Sequence, residues 1–267
     1  MNTSALFGFD RNVSQEINQM FSKAKDKEAS VIKAKDINHL PEFVQKWLTN
    51  SGILGQKKIQ TMRLKQKALL KMKPNQKKWQ KASAEQYFTT EEPAFIWKVD
   101  MQMMPLIKVK GRDMFSEGKG EMMMKIFGLF PVVNQRNNEK INSGALQRYL
   151  AEIVWFPSAA LSPYINWEKE DEHSAKAFMT YKGTKGSGTF TFDEIGNFAK
   201  FSAPRYMGGD EDAELREWVI TVQETKVMSG IRIPVKLEVT WKLEAGDWTW
   251  LKLEITDIEY HKPEKYQ

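Results

Sequence analysis

Apolar positions along this chain recur at two periods, and the change from one to the other falls near residue 57. Before it, Val13, Ile17, Met20, Phe21 and Ala24 follow each other at three- and four-residue spacing, which predicts an amphipathic helix over 12–25. The polar stretch 26–35 reads as a linker or a further exposed turn. Leu40-Pro41 then opens a second, short helix, with Pro41 near its first turn and Phe43, Val44, Trp47 and Leu48 on its buried side. Gly52 and Gly55 end it. From Lys58 onward the period is two, as in a strand with one buried face. Strands are predicted at 58–72, 80–89, 94–101, 106–116 and 119–127, and after one helix at 164–168, 173–182, 187–193, 198–206, 215–227, 233–243 and 248–260.

The last hairpin carries the clearest pattern. Val235, Leu237, Val239, Trp241 and Leu243 alternate with polar residues, and after a turn at 245–247 so do Leu251, Leu253 and Ile255. So many consecutive strands with short turns predict an α+β, mainly β fold. It is a large curved antiparallel sheet or half-barrel, analogous in architecture to lipoprotein carriers, with two amino-terminal helices and one inserted helix. Alternating β–α units are missing, which excludes Rossmann and TIM-barrel folds, and no fixed-period repeat supports a propeller. The expected organisation is a helical segment and linker over 1–37 and a single β-rich domain over 38–262.

The inserted helix is the most informative segment. Asn142 or Ser143 can cap it, and its body is expected over 145–154. Leu146, Tyr149, Leu150 and Ile153 fall on one side, and Arg148, Glu152 and Trp155 on the other. An exposed Arg–Glu pair at i,i+4 would contribute only a few tenths of a kcal/mol. Trp155 argues instead that this side is covered too. A helix buried on both sides forces Arg148 and Glu152 to pair or to meet a polar ligand.

Composition narrows the chemistry. Among 267 residues there is no cysteine, so disulfides, thiolate metal sites and cysteine nucleophiles are excluded. The three histidines, His39, His173 and His261, are far apart, and neither a metal nor a cofactor is expected. The net charge of +6 hides an asymmetry: residues 1–82 hold 17 basic and 6 acidic side chains, and 57–81 hold ten basic and no acidic ones. Within that block Arg63, Lys65 and Lys67 alternate with Met62, Leu64 and Ala68. They form either a solvated outer sheet face or a peripheral contact with an anionic membrane. No recognised nucleic-acid motif accompanies them, so nucleic acid is not an expected partner. The run 183–189 lacks the ending of a phosphate loop and leads into a strand, and no Gly-x-Ser-x-Gly elbow is present. Neither a signal peptide nor a membrane-crossing helix is evident, which gives a cytoplasmic or membrane-peripheral protein as the expectation.

Two features point to an apolar ligand. Seven of the fourteen methionines lie between Met101 and Met124, and methionine moulds itself to varied apolar shapes. Trp97, Trp155, Trp167 and Trp241 are placed to face a sheet interior. A Trp/Met-lined concave sheet with a few arginines suits a lipid or other amphiphile with an acidic head. The alternative is an enzyme that uses Glu152 as acid or base with Arg148, Asp113 or Arg205 in a pocket, the arginines holding an anionic substrate.

Several motifs carry a resemblance. Arg148-Tyr149-Leu150-Ala151-Glu152 with Trp155-x-Pro157, Leu40-Pro41-Glu42, Pro93-Ala94-Phe95-Ile96-Trp97, Gly111-Arg112-Asp113, Gly118-Lys119-Gly120, Asn166-Trp167-Glu168, Phe192-Asp193 with Gly196, Arg205-Tyr206 and Ile233-Pro234 occur in this order. They resemble a bacterial domain-of-unknown-function family, number 6544 or its sibling 6920, over about residues 38–260. The resemblance implies no established activity. Relatives in that family carry hydrophobic helices near the amino terminus, so this chain is expected to be a soluble member or to lack a preceding segment. Together, the helix side, the interior tryptophans and these motifs give Arg148, Glu152, Trp155, Trp167, Arg205, Trp97 and Arg112 as the candidate ligand-binding set.

Overall fold

The computed structural model describes residues 3–24, 29–104 and 107–267. Two helices lead, α1 (Thr3–Lys23) and α2 (Glu42–Asn50). Six strands follow: β1 (Thr61–Leu70), β2 (Gln80–Thr89), β3 (Ala94–Met104), β4 (Ile107–Ser116), β5 (Lys119–Ile126) and β6 (Phe130–Gln135). After α3 (Glu139–Glu152) and two short 3-10 turns come β7 (Ile165–Lys169), β8 (Ser174–Tyr181), β9 (Thr184–Phe192), β10 (Phe198–Tyr206), β11 (Leu215–Met228), β12 (Ile231–Leu243) and β13 (Gly246–Tyr260). The mainly β class with three helices is thus as the periodicity predicts. The end of the first predicted helix at Lys25, the start of the linker (26–28) and the first residue of the predicted strand 106–116 lie outside the described residues.

All thirteen strands form one antiparallel sheet in the order β6-β5-β4-β3-β2-β1-β13-β12-β11-β10-β9-β8-β7. The first and last strands therefore pair in its middle, with Leu64 opposite Ile258, and β6 and β7 are its two edges. Helix α3 connects those edges and packs against β4 and β5 of one arm and β8, β9 and β10 of the other. A twisted sheet whose two arms both touch one helix is a half-barrel curled around it.

The largest departures from the sequence pattern concern α1, β6 and α3. Helix α1 begins at Thr3 rather than at 12. Strand β6 was not anticipated: it is a mostly exposed edge strand containing Pro131, so it shows no alternation, and an edge is where a strand tolerates proline. Helix α3 begins at Glu139, capped by Asn138, whose side chain accepts from the backbone N–H of Lys140 (2.8 Å) and Ile141 (3.4 Å). The expected caps have another task. Asn142 accepts from the backbone N–H of Gly120 on β5 (2.8 Å), and Ser143 donates to the carbonyl of Lys185 on β9 (3.1 Å), so the helix is stitched to both arms.

The period-two alternation of the strands builds a core on each face of the sheet, and a smaller cluster of Ala68, Leu70, Met101 and Val109 against which Trp250, Leu251 and Leu253 pack. On the concave face Phe88, Phe95, Trp97 and Phe115 pack with Leu146, Tyr149 and Leu150 of α3 and with Val44, Trp47 and Leu48 of α2. On the convex face Phe9, Val13, Ile17, Met20 and Phe21 of α1 cover Tyr87, Ala94, Ile96 and Tyr266. The approach of α3 to β5 leaves no room for a side chain at Gly120, where a Cβ would stand 2.6 Å from the carbonyl oxygen of Ile141 and 2.7 Å from the Cβ of Ala145. Gly120→Ala is accordingly expected to destabilise the protein by about 1–3 kcal/mol. Urea denaturation checks this; an unchanged midpoint would mean that the helix shifts freely.

Candidate functional site

Between α3 and the concave sheet lies a cavity of about 430 Å³, within the ~300–1,000 Å³ of typical small-molecule sites. Its walls are mainly apolar: Trp97, Trp155, Trp218, Trp241, Trp248 and Trp250, with Met122, Met124, Leu251 and Leu253. It reaches the surface where Met72 and Met207, 39% and 40% exposed, form part of its lining. Trp248, Trp250, Leu251 and Leu253 pack against the main core yet are only half-buried, because their open side faces this space.

A β-bulge makes that wall. In the β12–β13 pair the register shifts between Val239 and Thr240, so that Val239 faces Leu251 and Thr240 faces Thr249. The extra residue on β13 switches its phase. Trp248 and Trp250 before the shift, and Leu251 and Leu253 after it, consequently all line the cavity.

One end of the cavity is charged. Arg148 Nε donates to Glu152 Oε1 (2.9 Å), and Arg148 Nη1 donates to Asp113 Oδ2 on β4 (2.9 Å). The guanidinium lies 4.9 Å from the Trp97 ring centroid and 5.0 Å from that of Phe95. The second Glu152 oxygen accepts from Gln86 Nε2 (2.8 Å), Gln86 Oε1 from Gln66 Nε2 (3.1 Å), and Gln66 Oε1 from Trp97 Nε1 (2.8 Å). This chain of buried groups fixes the i,i+4 pair in one geometry. Burial pushes the carboxyls of Asp113 and Glu152 above their usual range, against the pull of Arg148. Burial alone would lower the Arg148 pKa, but Glu152 and Asp113 outweigh it and hold the guanidinium above its usual value.

Arg205 on β10 is in a different state. No carboxylate among the described residues pairs with it; its guanidinium lies 4.4 Å from the Trp218 ring centroid, beside Gly144 of α3. Burial, with Arg148 nearby, depresses its pKa to about 10. Among the described residues its Nε is a buried donor without a partner, as are the indole N–H groups of Trp218, Trp248 and Trp250, and Asp113 Oδ1 is an unpartnered acceptor. All five residues line the cavity.

Of the seven candidates from the sequence, Arg148, Glu152, Trp155, Arg205 and Trp97 line this cavity. The other two require correction. Arg112 alternates with Asp113 and points to the convex face, where it donates to Glu121 (3.0 Å) and to Glu16 of α1 (3.1 Å). Trp167 lies beneath α2, its ring against Trp47 and Phe190 and its Nε1 donating to the carbonyl of Ala160 (3.0 Å). The outer basic strand also changes. Arg63 is only 9% exposed, held by Glu259 (2.7 Å) and by the carbonyls of Glu264 and Lys265 (3.0 Å each), so it is withdrawn from any free basic face. Lys65 lies over the Tyr266 ring at 4.3 Å, and Lys67 is exposed. Sequence reasoning did not single out Gln66, Gln86, Trp218, Trp248 and Trp250. Apolar parity could have found Trp218, which alternates with Ile220; the bulge hides the β13 pair.

Among the described residues no group of three histidine, aspartate or glutamate side chains is placed to hold a metal ion. No described helix is long and apolar enough to cross a membrane.

Fold and cavity together define a single-sheet antiparallel half-barrel that encloses a tryptophan-lined space under an inserted helix. The family model described as "Family of unknown function (DUF6920)" matches residues 38–260, and the chain belongs to that family. Of the two siblings suggested by the motifs, the match selects 6920. Among solved structures the chain is similar to a LolA superfamily protein from Nitrosomonas europaea, with 8% identity and a TM-score of 0.43 over 87% of this chain and 95% of that one. No curated protein matches the sequence.

Proposed function

We propose that the protein is a non-catalytic module that holds an apolar or amphiphilic, lipid-like ligand in the cavity under α3. The carrying observation is the apolar wall of Trp248, Trp250, Leu251 and Leu253, which packs against the core yet stays only half-buried where it lines a space of about 430 Å³. Apolar surface left uncovered inside a core costs roughly 25 cal/mol per Å², and an acyl or other apolar chain recovers it. The polar end suits an acidic head: Arg205 Nε and the indole N–H of the adjoining Trp218 are buried donors that an anionic, acceptor-rich group would satisfy. Arg148 is less available for that task, since Asp113 and Glu152 already occupy it.

The catalytic alternative draws on the raised Glu152 pKa. Both Glu152 oxygens, however, already accept hydrogen bonds, from Arg148 and from Gln86, so proton transfer through Glu152 would disturb the network that holds it. Binding is therefore favoured over proton transfer.

Native mass spectrometry of protein purified from its host is expected to show the chain with a bound lipid. Leu253→Trp, which fills the cavity from the sheet side, is expected to lose that mass while remaining folded. A bare chain mass, together with failure to take up a fluorescent fatty acid, would refute the proposal.

A further inference from the structure

The lip of the cavity carries a charge pattern that its interior does not require. The connection after β1 contains Lys71, Lys73, Lys77 and Lys78 next to the exposed Met72, and Lys71 and Met72 are part of the cavity lining. No carboxylate among the described residues pairs with any of these lysines, whereas Lys236, Lys242 and Lys252 on the neighbouring hairpin are each held by one.

The loop has a built shape. Lys71 N–H donates to the carbonyl of Trp250 (2.8 Å), Gln76 Oε1 accepts from Met72 N–H (2.9 Å), and Gln76 Nε2 donates to the carbonyl of Lys78 (2.6 Å). The ammonium groups of Lys71 and Lys252 lie 4.7 Å and 5.4 Å from the Trp79 ring centroid. The opposite lip has the reverse charge: Met207 is followed by Asp210, Glu211, Asp212 and Glu214. That segment is tied to the start of α3, where Lys140 Nζ donates to the carbonyls of Asp210, Glu211 and Ala213.

We infer that the basic lip docks the protein on an anionic lipid surface, so that the cavity mouth meets the headgroups and ligand exchanges directly with the bilayer. This rests on the ligand-binding reading for its purpose, though its charge argument is independent. Unpaired lysines beside an exposed thioether and a half-buried indole suit a lipid–water interface: ammonium groups meet phosphates while the apolar groups enter the boundary. The charge separation across the mouth sets the orientation, with the 71–79 lip against the membrane and the acidic lip turned away. The convex strand face serves this purpose less well, because Arg63 is held by Glu259 and the carboxy-terminal segment.

The test uses the full chain with vesicles of phosphatidylcholine alone and vesicles containing phosphatidylglycerol. Wild-type protein is expected to sediment with the anionic vesicles only, and to be released at high salt. Lys73→Gln, Lys77→Gln and Lys78→Gln together should weaken that association roughly tenfold or more. Lys65→Gln with Lys67→Gln should leave it unchanged. Fatty-acid uptake, measured in parallel, should survive the triple change, because those three lysines form no part of the cavity lining. Absent vesicle binding, equal binding of the triple variant, or capture of an acidic protein through these lysines without vesicle binding would overturn the inference. Vesicle binding without any fatty-acid uptake would support the docking surface and refute the cavity's proposed role instead.

Discussion

Arg148→Met is expected to destabilise the protein by about 3–5 kcal/mol, the range for removing one partner of a buried ion pair. The cost is large because Arg148 serves two carboxylates at once: its Nε binds Glu152 and its Nη1 binds Asp113, each at 2.9 Å. Methionine retains much of the packing against Phe95 and Trp97 but leaves two buried carboxyls without their cation. Those carboxyls then take up protons, which gives the loss a pH signature. In the native protein burial already raises both pKa values. A carboxyl whose folded pKa exceeds its unfolded one holds more protons when folded. Its contribution is therefore fully present below the unfolded pKa and is lost as pH rises through the folded pKa. The variant should accordingly be weakest at neutral and alkaline pH and recover as pH falls toward the ordinary carboxylate range. Urea denaturation of both proteins across that range checks this. An unchanged, pH-independent stability would show that the pair is of little consequence.

Arg205→Met should have the opposite effect on stability. Arg205 is a buried cation with no carboxylate partner among the described residues, and burial disfavours its charge, depressing its pKa to about 10. At neutral pH the group is nevertheless protonated, so its burial costs free energy. That penalty is relieved only as pH rises past about 10, where the unfolded chain still holds the proton. Replacement by methionine is expected to stabilise the ligand-free protein by about 1–3 kcal/mol. The same variant should bind a fluorescent fatty acid at least about tenfold more weakly, because a buried cation facing an acid contributes more than 1.4 kcal/mol. Its affinity for an uncharged apolar probe should be preserved. A gain in stability with a selective loss of acid binding would mark Arg205 as a residue kept for binding rather than for folding. Lower stability together with unchanged fatty-acid affinity would refute both halves of the argument.

The two arginines show how far the sequence reaches. The Arg148–Glu152 pair was legible because a helix repeats every 3.6 residues: an i,i+4 spacing brings the two side chains together whatever surrounds them. Trp155 added the sign that their side is covered. Asp113 stood among the candidates for a pocket with Glu152, but nothing local indicated that it would bind Arg148 from β4, or that Gln86 and Gln66 would extend the network, since those contacts depend on which strands flank α3. Arg112 illustrates a signal that was present but unused. Val109, Gly111, Asp113 and Phe115 share a strand face, and the apolar members mark it as the buried one, so its neighbour Arg112 had to face the other way.

By itself, the sequence determined the number and kind of most elements, the antiparallel character of the sheet and the pairing within α3. All of these follow from backbone periodicity over a few residues. The tertiary structure decided the rest. Closing β1 against β13 puts the chain's first and last strands at the centre of the sheet and curls its arms around α3, bringing Arg205 to the helix 57 positions after Arg148 in sequence. A single extra residue in β13 turned Trp248 and Trp250 inward alongside Leu251 and Leu253. Strand order and bulge position arise from how the whole sheet twists and closes, and a pattern read along one strand carries neither.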